Sequence, residues 1–169
     1  LRAAQVAQQV TQNTLSDWIK RLLNKPREID SRLFFSHLIE NEEIDRHHRA
    51  QKLKAVADII RLYSLYMCKY RATHVGSCFS LAEIISVLYA GKLLNYSLAH
   101  GKITDVRESD PFFLSGGHSI SAFYAMYHML GLLSAERLLR VRFRHYGLPA
   151  HPESRVTPNI VFMSSGSLG

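Results

Sequence analysis

The sequence has little cysteine and no long hydrophobic run. Its two cysteines, Cys68 and Cys78, form neither a C-x-x-C pair nor a disulfide framework, so we expect a reducing compartment and a cytoplasmic location. No apolar run approaches the roughly 20 residues that a membrane-spanning helix needs, and the N-terminal residues lack the hydrophobic segment of a signal peptide. We therefore expect no membrane span and no membrane partner.

Acidic residues are also in the minority, because 21 lysines and arginines outnumber 14 aspartates and glutamates and give a net charge of +7. Such a charge suits an anionic partner, a class that includes nucleic acid and phosphorylated small molecules. The basic residues are spread from Arg2 to Arg155 without forming a block, so we expect no nucleic acid partner. The alternative, a nucleic-acid-binding module that uses Arg140, Arg142 and Arg144, would show a steep salt dependence of binding.

The length of 169 residues and the hydrophobic content of 47% suit a single globular domain with a sizeable core. Residues 1–24 have a helical composition, and we interpret residues 1–42 as a helical N-terminal extension of the domain formed by residues 43–169. The chain begins at Leu1 and stops at Gly169. We interpret these positions as the ends of a fragment, so we expect an incomplete domain.

Apolar periodicity predicts four helices within residues 43–169. The longest run extends from about residue 43 to residue 70 and has a buried stripe formed by Leu53, Val56, Ile60, Tyr63 and Met67. Ser80 and Glu83 form a capping-box pattern, which predicts a helix that starts at Ser80 and stops at Gly91. A third helix is predicted to end at Gly131, and a fourth is predicted to start at Ser134 and to run towards Phe143.

Residues 110–118 read Asp-Pro-Phe-Phe-Leu-Ser-Gly-Gly-His, a short apolar run that leads through two glycines to a histidine at a predicted helix start. A second apolar run, residues 160–163, leads into another serine–glycine turn. Short apolar runs bounded by turn residues are typical of buried strands. We therefore predict that residues 112–114 and 160–163 are neighbouring strands whose loops open on one edge of a sheet. Glycine lets the backbone approach a ligand closely, and the free amides of a helix N-terminus suit phosphate.

Four motifs occur in an order that resembles the N-terminal half of the transketolase family. They are Thr-His-Val-Gly at residues 73–76, Ser-Gly-Gly-His at 115–118, Ala-His-Pro-Glu at 150–153 and Ser-Gly-Ser-Leu-Gly at 165–169. The corresponding family motifs are Gly-His-Pro-Gly, Ser-x-Gly-His, Gly-His-Pro-Glu and Thr-Gly-x-Leu-Gly. The resemblance covers about residues 53–169, and it departs from the family pattern at Thr73, Val75 and Ala150, which replace glycine, proline and glycine.

The resemblance implies an α/β fold, with a mostly parallel sheet covered by helices on both faces. It implies a homodimeric, thiamine diphosphate-dependent enzyme of carbohydrate metabolism that transfers a two-carbon ketol unit between sugar phosphates. The residues implied to bind the cofactor are His118, Gly166, Ser167 and Leu168. His74 and His151 are implied to be catalytic, because they would hold substrate hydroxyls and move protons. The Mg²⁺ ligands and the catalytic glutamate are expected beyond residue 169, so we expect the segment alone to be inactive.

Three alternatives to this interpretation stay open. The first is a zinc site formed by His74, His118 and His151, since catalytic zinc often uses three protein ligands, although no short two-ligand motif anchors it. The second is the homodimeric 2-oxo-acid (pyruvate) dehydrogenase component, whose N-terminal half has similar histidine loops. The third is a catalytically silent homologue that has kept the fold.

Overall fold

The helices of the domain are given by a computed structural model, which describes residues 46–71, 73–96, 105, 107, 109–143 and 147–166. For residue 70 only the backbone is described. The predicted extension, residues 1–42, lies outside the described residues. The described elements, in chain order, are α1 (Arg46–Tyr70), α2 (Val75–Ile85), a π-helical turn (Ser86–Ala90), a 3₁₀ turn (Gly117–Ser119), α3 (Ile120–Met129) and α4 (Ala135–Leu138).

Helix α1 confirms the long helix with a buried stripe that the apolar periodicity predicts, although Leu53 of that stripe is only half-buried. Its inward face consists of side chains that are at most 2% exposed, namely Val56, Ala57, Ile59, Ile60, Tyr63 and Met67. This face packs against α2 and α3. Burial of an apolar stripe, and not helix propensity alone, is what stabilises most helices in proteins. None of the described helices is long and apolar enough to cross a lipid bilayer.

Helix α2 begins five residues earlier than the capping-box pattern predicts. His74 occupies its N-cap position and Val75 is its first residue, so Ser80 lies inside the helix and its hydroxyl donates to the Ser77 carbonyl at 2.9 Å. Glu83 does not reach back to cap the helix but pairs with Arg61 of α1, and this hydrogen bond is the main cause of its lowered pKa. The capping-box prediction is therefore wrong. Burial of Cys78, which is 0% exposed, favours the earlier helix start.

Helix α3 lies at the centre of the described structure, because all ten of its residues are buried. The periodicity predicts only one buried face for this segment, whereas the helix is enclosed on all sides. The predicted stop is confirmed at Gly131, whose φ of 80° is a left-handed conformation that glycine adopts without strain. The predicted cap at Ser134 is also confirmed, since its side chain accepts a hydrogen bond from the Arg137 amide at 3.2 Å. The predicted extent of this helix is wrong, because it ends at Leu138 and does not run towards Phe143.

The predicted parallel sheet is wrong for the part of the chain that the structure describes, which contains no β-strand. The pairing recorded there consists of two isolated bridges, Tyr96 with Ser109 and Val141 with Leu148. Residues 112–114 have no regular secondary structure and no strand pairing, and residues 160–163 include a turn.

The hydrogen bonds of the two predicted strands explain this difference. The amides of Ile160 and Val161 donate to the Thr157 carbonyl at 3.0 and 3.2 Å, which is a local turn. The Leu114 carbonyl accepts from the Ser165 hydroxyl at 2.9 Å. Turns and a side chain thus satisfy backbone groups that a neighbouring strand would satisfy in a sheet. The described structure is mostly helical, and the α/β interpretation is corrected accordingly.

The neighbouring residues Ile84 and Ile85 of α2 provide a matched test of this packing. Ile85 is 0% exposed and Ile84 is 51% exposed. We expect Ile85→Ala to lower the free energy of unfolding by about 2–5 kcal/mol, because it leaves a cavity in the core. Ile84→Ala should change it by less than about 0.5 kcal/mol. Urea unfolding of both variants, followed by helical circular dichroism, measures the difference, and equal losses would contradict the described burial.

Candidate functional site

Three histidines that are far apart in the sequence converge in the structure. His74 precedes α2, His118 lies in the 3₁₀ turn before α3, and His151 lies on a later loop. Their ring centroids are 4.3 Å apart for His74–His118, 5.1 Å for His118–His151 and 6.3 Å for His74–His151. One ring nitrogen of each histidine lies within 4.8 Å of one nitrogen of each of the others. We call this group the histidine cluster.

The starts of two helices position the first two members of the histidine cluster. The His74 carbonyl accepts from the Cys78 amide at 3.1 Å, which places His74 against the first turn of α2. The Ser119 hydroxyl, one residue after His118, donates to the Ser77 carbonyl in that same turn at 3.1 Å. This hydrogen bond connects the 3₁₀ turn to α2, so the two histidines lie side by side.

The third histidine is positioned by a close approach to Gly117. A Cβ atom at Gly117 would lie 2.6 Å from the Gly166 carbonyl oxygen, 3.0 Å from Cδ2 of His151 and 3.1 Å from Cδ of Pro152. Only glycine leaves room for these three neighbours. The Ser165 amide also donates to the Pro152 carbonyl at 3.0 Å, so the loops of His151 and Gly166 contact each other as well.

The loops around the histidine cluster leave open space and unsatisfied polar atoms. A Cβ atom at Gly76, Gly116 or Gly166 would meet no other atom within 4 Å. Within the described residues, His151 Nε2 and Thr73 Oγ1 are buried and make no hydrogen bond. Buried polar atoms without a partner are uncommon in proteins, and a ligand is one way to satisfy them. Open glycine faces beside such atoms fit a polar ligand that lies against the backbone, as thiamine diphosphate would.

The electrostatics of the cluster favour a neutral His74. Its pKa is lowered mainly by desolvation and further by repulsion from His118, His151 and Arg142. A neutral imidazole can accept a proton or a hydrogen bond through one nitrogen and donate through the other. His74 is therefore suited to proton transfer near neutral pH.

The structure brings together four of the six residues that the sequence singles out, namely His74, His118, His151 and Gly166. Ser167 and Leu168 lie outside the described residues. The sequence interpretation did not identify Arg142 as a neighbour of His74, and it gave Thr73 no role in the site. Arg142 has a positive φ of 62°, which is rare for a residue with a side chain, but no local sequence signal predicts that conformation.

The comparisons with known proteins agree with the position of these motifs. Residues 52–169 match the family described as transketolase, thiamine diphosphate binding domain. Transketolase-like protein 2 of Mus musculus is 34% identical over 120 residues, which cover 70% of this chain and 18% of that protein. Human transketolase is 32% identical over 126 residues, which cover 72% of this chain and 19% of that protein.

A bacterial relative gives the same picture. The transketolase of Buchnera aphidicola is 30% identical over 118 residues, or 69% of this chain and 17% of its own length. The chain thus spans less than a fifth of the length of these relatives. No solved structure matches it. Because the family match covers residues 52–169, the chain belongs to the transketolase family and represents part of its thiamine diphosphate binding domain.

Proposed function

We propose that this chain is part of a thiamine diphosphate-dependent transketolase that transfers a two-carbon ketol unit between sugar phosphates. The observation that carries the proposal is the convergence of His74, His118 and His151 beside open glycine backbone. The proposal includes a cytoplasmic homodimer without a nucleic acid or membrane partner. It also includes a Mg²⁺ ion whose ligands lie beyond residue 169.

The residues that would hold thiamine diphosphate are His118 and Gly166, together with Ser167 and Leu168. When bound, this cofactor supplies a thiazolium carbon that acts as a nucleophile towards the ketose carbonyl. His118 precedes the ten-residue helix α3, so its imidazole and the free amides of the helix N-terminus favour a bound diphosphate through the same electrostatic attraction. Gly166 leaves space on its open side for the cofactor to approach the backbone.

His74 and His151 would act on the substrate. His74 is exposed and His151 is half-buried, so both rings can be reached from solvent. Imidazoles at this position can accept the hydroxyl proton of a sugar and return it later in the reaction, and they can hold hydroxyl groups by hydrogen bonds. The Nε2 atom of His151 is buried and has no hydrogen-bond partner, so a substrate group that enters the site would satisfy it without breaking another hydrogen bond. The transketolase relatives support a sugar substrate over the 2-oxo-acid alternative.

Alanine variants of the histidines in the whole enzyme test this division of roles. We expect His118→Ala to weaken cofactor affinity by about 1.5–3 kcal/mol, because one hydrogen bond to a charged group is lost. His74→Ala and His151→Ala should keep cofactor affinity and lower turnover by about 10²–10⁴, the range expected for a lost proton transfer. Calorimetric titration with thiamine diphosphate and Mg²⁺, combined with steady-state kinetics on a donor sugar phosphate, separates the two effects.

His128 is the control for these variants. It is 5% exposed in α3, and its Nδ1 lies 2.8 Å from the Leu133 carbonyl oxygen. His128→Ala should therefore reduce stability while turnover per folded molecule stays normal. Normal sugar turnover in both the His74 and the His151 variants would show that the assigned chemistry is wrong, even though the family is right.

The lowered pKa of His74 provides a second test, which needs no activity. We expect NMR titration of its ring to give a pKa below the ordinary value of 6.5. In the double variant His118→Gln/His151→Gln the pKa should rise towards 6.5, because charge repulsion is removed while desolvation remains. His47→Gln, on the exposed surface of α1, should leave the pKa of His74 unchanged.

The same shift has a consequence for stability. Between the lowered pKa and 6.5, the unfolded chain binds more protons at His74 than the folded chain does. The free energy of unfolding should therefore fall as the pH falls through this interval. If the pKa of His74 is the same in the parent chain and in the His118→Gln/His151→Gln variant, the described proximity of the three rings is contradicted.

A further inference from the structure

The histidine cluster has the composition and spacing of a transition-metal site. We propose that His74, His118 and His151 together bind Zn²⁺ as a three-histidine site. Binding there would occupy the nitrogen atoms that the cofactor and the substrate need. The metal binding follows from the geometry of the described residues alone, whereas its inhibitory effect rests on the proposed function.

The distances between the three rings support the proposal. Nitrogen atoms that share one tetrahedral zinc ion lie roughly 3.4 Å apart, because each Zn–N bond is about 2.0–2.1 Å long. The ligand nitrogens of the cluster already lie within 4.8 Å of one another. Small rotations of the side chains are therefore enough to bring all three nitrogens onto one ion.

The ring centroids give an independent comparison. In a tetrahedral three-histidine site, ring centroids are separated by roughly 5 Å, because each centroid lies a little more than 1 Å beyond the nitrogen that binds the metal. The observed separations of 4.3, 5.1 and 6.3 Å lie on either side of this value. A shift of His151 towards His74 would shorten the longest of the three separations, which is 6.3 Å.

The chemistry of the cluster selects the class of metal. All three ligands are imidazoles and the cluster contains no carboxylate, a donor set that suits Zn²⁺ and similar transition metals. Mg²⁺ and Ca²⁺ prefer oxygen ligands, so neither should compete for this site. The Mg²⁺ ion proposed for the diphosphate is therefore a different ion at a different place.

The surroundings of the cluster allow entry of the ion and hold the ligands in place. His74 is exposed, and His118 and His151 are half-buried, so an ion can reach them from solvent. The hydrogen bond from Ser119 to Ser77 fixes the backbone beside His118, whereas His151 lies on a loop beside Gly117. With three protein ligands, the fourth tetrahedral position stays available for water.

Metal titration of the full 169-residue chain tests the proposal directly. We expect Zn²⁺ to bind with a stoichiometry of one ion per chain and micromolar or tighter affinity, measured by competition with a chromogenic chelator. Co²⁺ bound in place of Zn²⁺ should show the intense visible bands of tetrahedral coordination. Mg²⁺ should neither bind at the cluster nor displace Zn²⁺.

Glutamine variants identify the ligands. His74→Gln, His118→Gln and His151→Gln should each weaken Zn²⁺ binding by about 100-fold or more, because loss of even an outer-shell partner costs about 10–100-fold. The matched control is His47→Gln/His48→Gln, which removes two neighbouring histidines of α1 whose ring centroids are 6.2 Å apart. This control should bind Zn²⁺ like the parent chain.

The outcomes are separable from those of the proposed function. Absence of Zn²⁺ binding by the folded parent chain, or loss of binding in the His47/His48 control alone, would overturn the metal site and leave the cofactor titrations unaffected. Helical circular dichroism shows whether each variant is folded. If a variant unfolds, the Co²⁺ spectrum of the parent chain still tests the proposal. Weak bands typical of octahedral coordination would overturn it.

Discussion

The architecture of the candidate site depends on the missing side chain at Gly117. A Cβ atom there would lie 2.6 Å from the Gly166 carbonyl oxygen and 3.0 Å from the His151 ring, distances that are too short for unstrained packing. Because glycine permits this approach, the turn that carries His118 lies directly against the loops of His151 and Gly166. The same loops contain the buried Nε2 of His151 and the open backbone face of Gly166 that a cofactor could occupy.

The helical core supplies the fixed frame for that contact. Helices α1, α2 and α3 pack together, and the hydrogen bond between Ser119 and Ser77 joins the start of α3 to the start of α2. His74 and His118 are therefore held by helix starts, whereas His151 is held by loop contacts. The positions of His74 and His118 are therefore set by the helices, whereas a movement of its loop would displace the His151 ring. The same geometry suits both the proposed proton transfer and the proposed metal binding, because both need imidazole nitrogens that face a common space.

Local patterns predicted what depends on local interactions. The periodic apolar stripe predicted α1, and Gly131 and Ser134 predicted a helix end and a helix start. The helix start predicted from the capping box at Ser80 is wrong, because Cys78, in the first turn of α2, is buried in the core and the helix begins before it. The prediction of strands at residues 112–114 and 160–163 is wrong, because turns and the Ser165 hydroxyl satisfy their backbone groups. The convergence of the histidines depends on contacts between distant residues, so the order of motifs in a known family predicted it and periodicity did not.

The most direct test of the described site compares alanine substitutions at two neighbouring glycines, Gly117 and Gly116. A Cβ atom at Gly116 meets no other atom within 4 Å, so Gly116→Ala is the control. The measurement is the set of NMR cross-peaks between the ring protons of His74, His118 and His151 in selectively labelled protein. In the parent chain and in Gly116→Ala, we expect cross-peaks between His118 and both other rings. In Gly117→Ala, we expect the His118–His151 cross-peak to be lost. Unchanged cross-peaks in Gly117→Ala, or no cross-peaks in the parent chain, would contradict the described role of Gly117 in bringing the three histidines together.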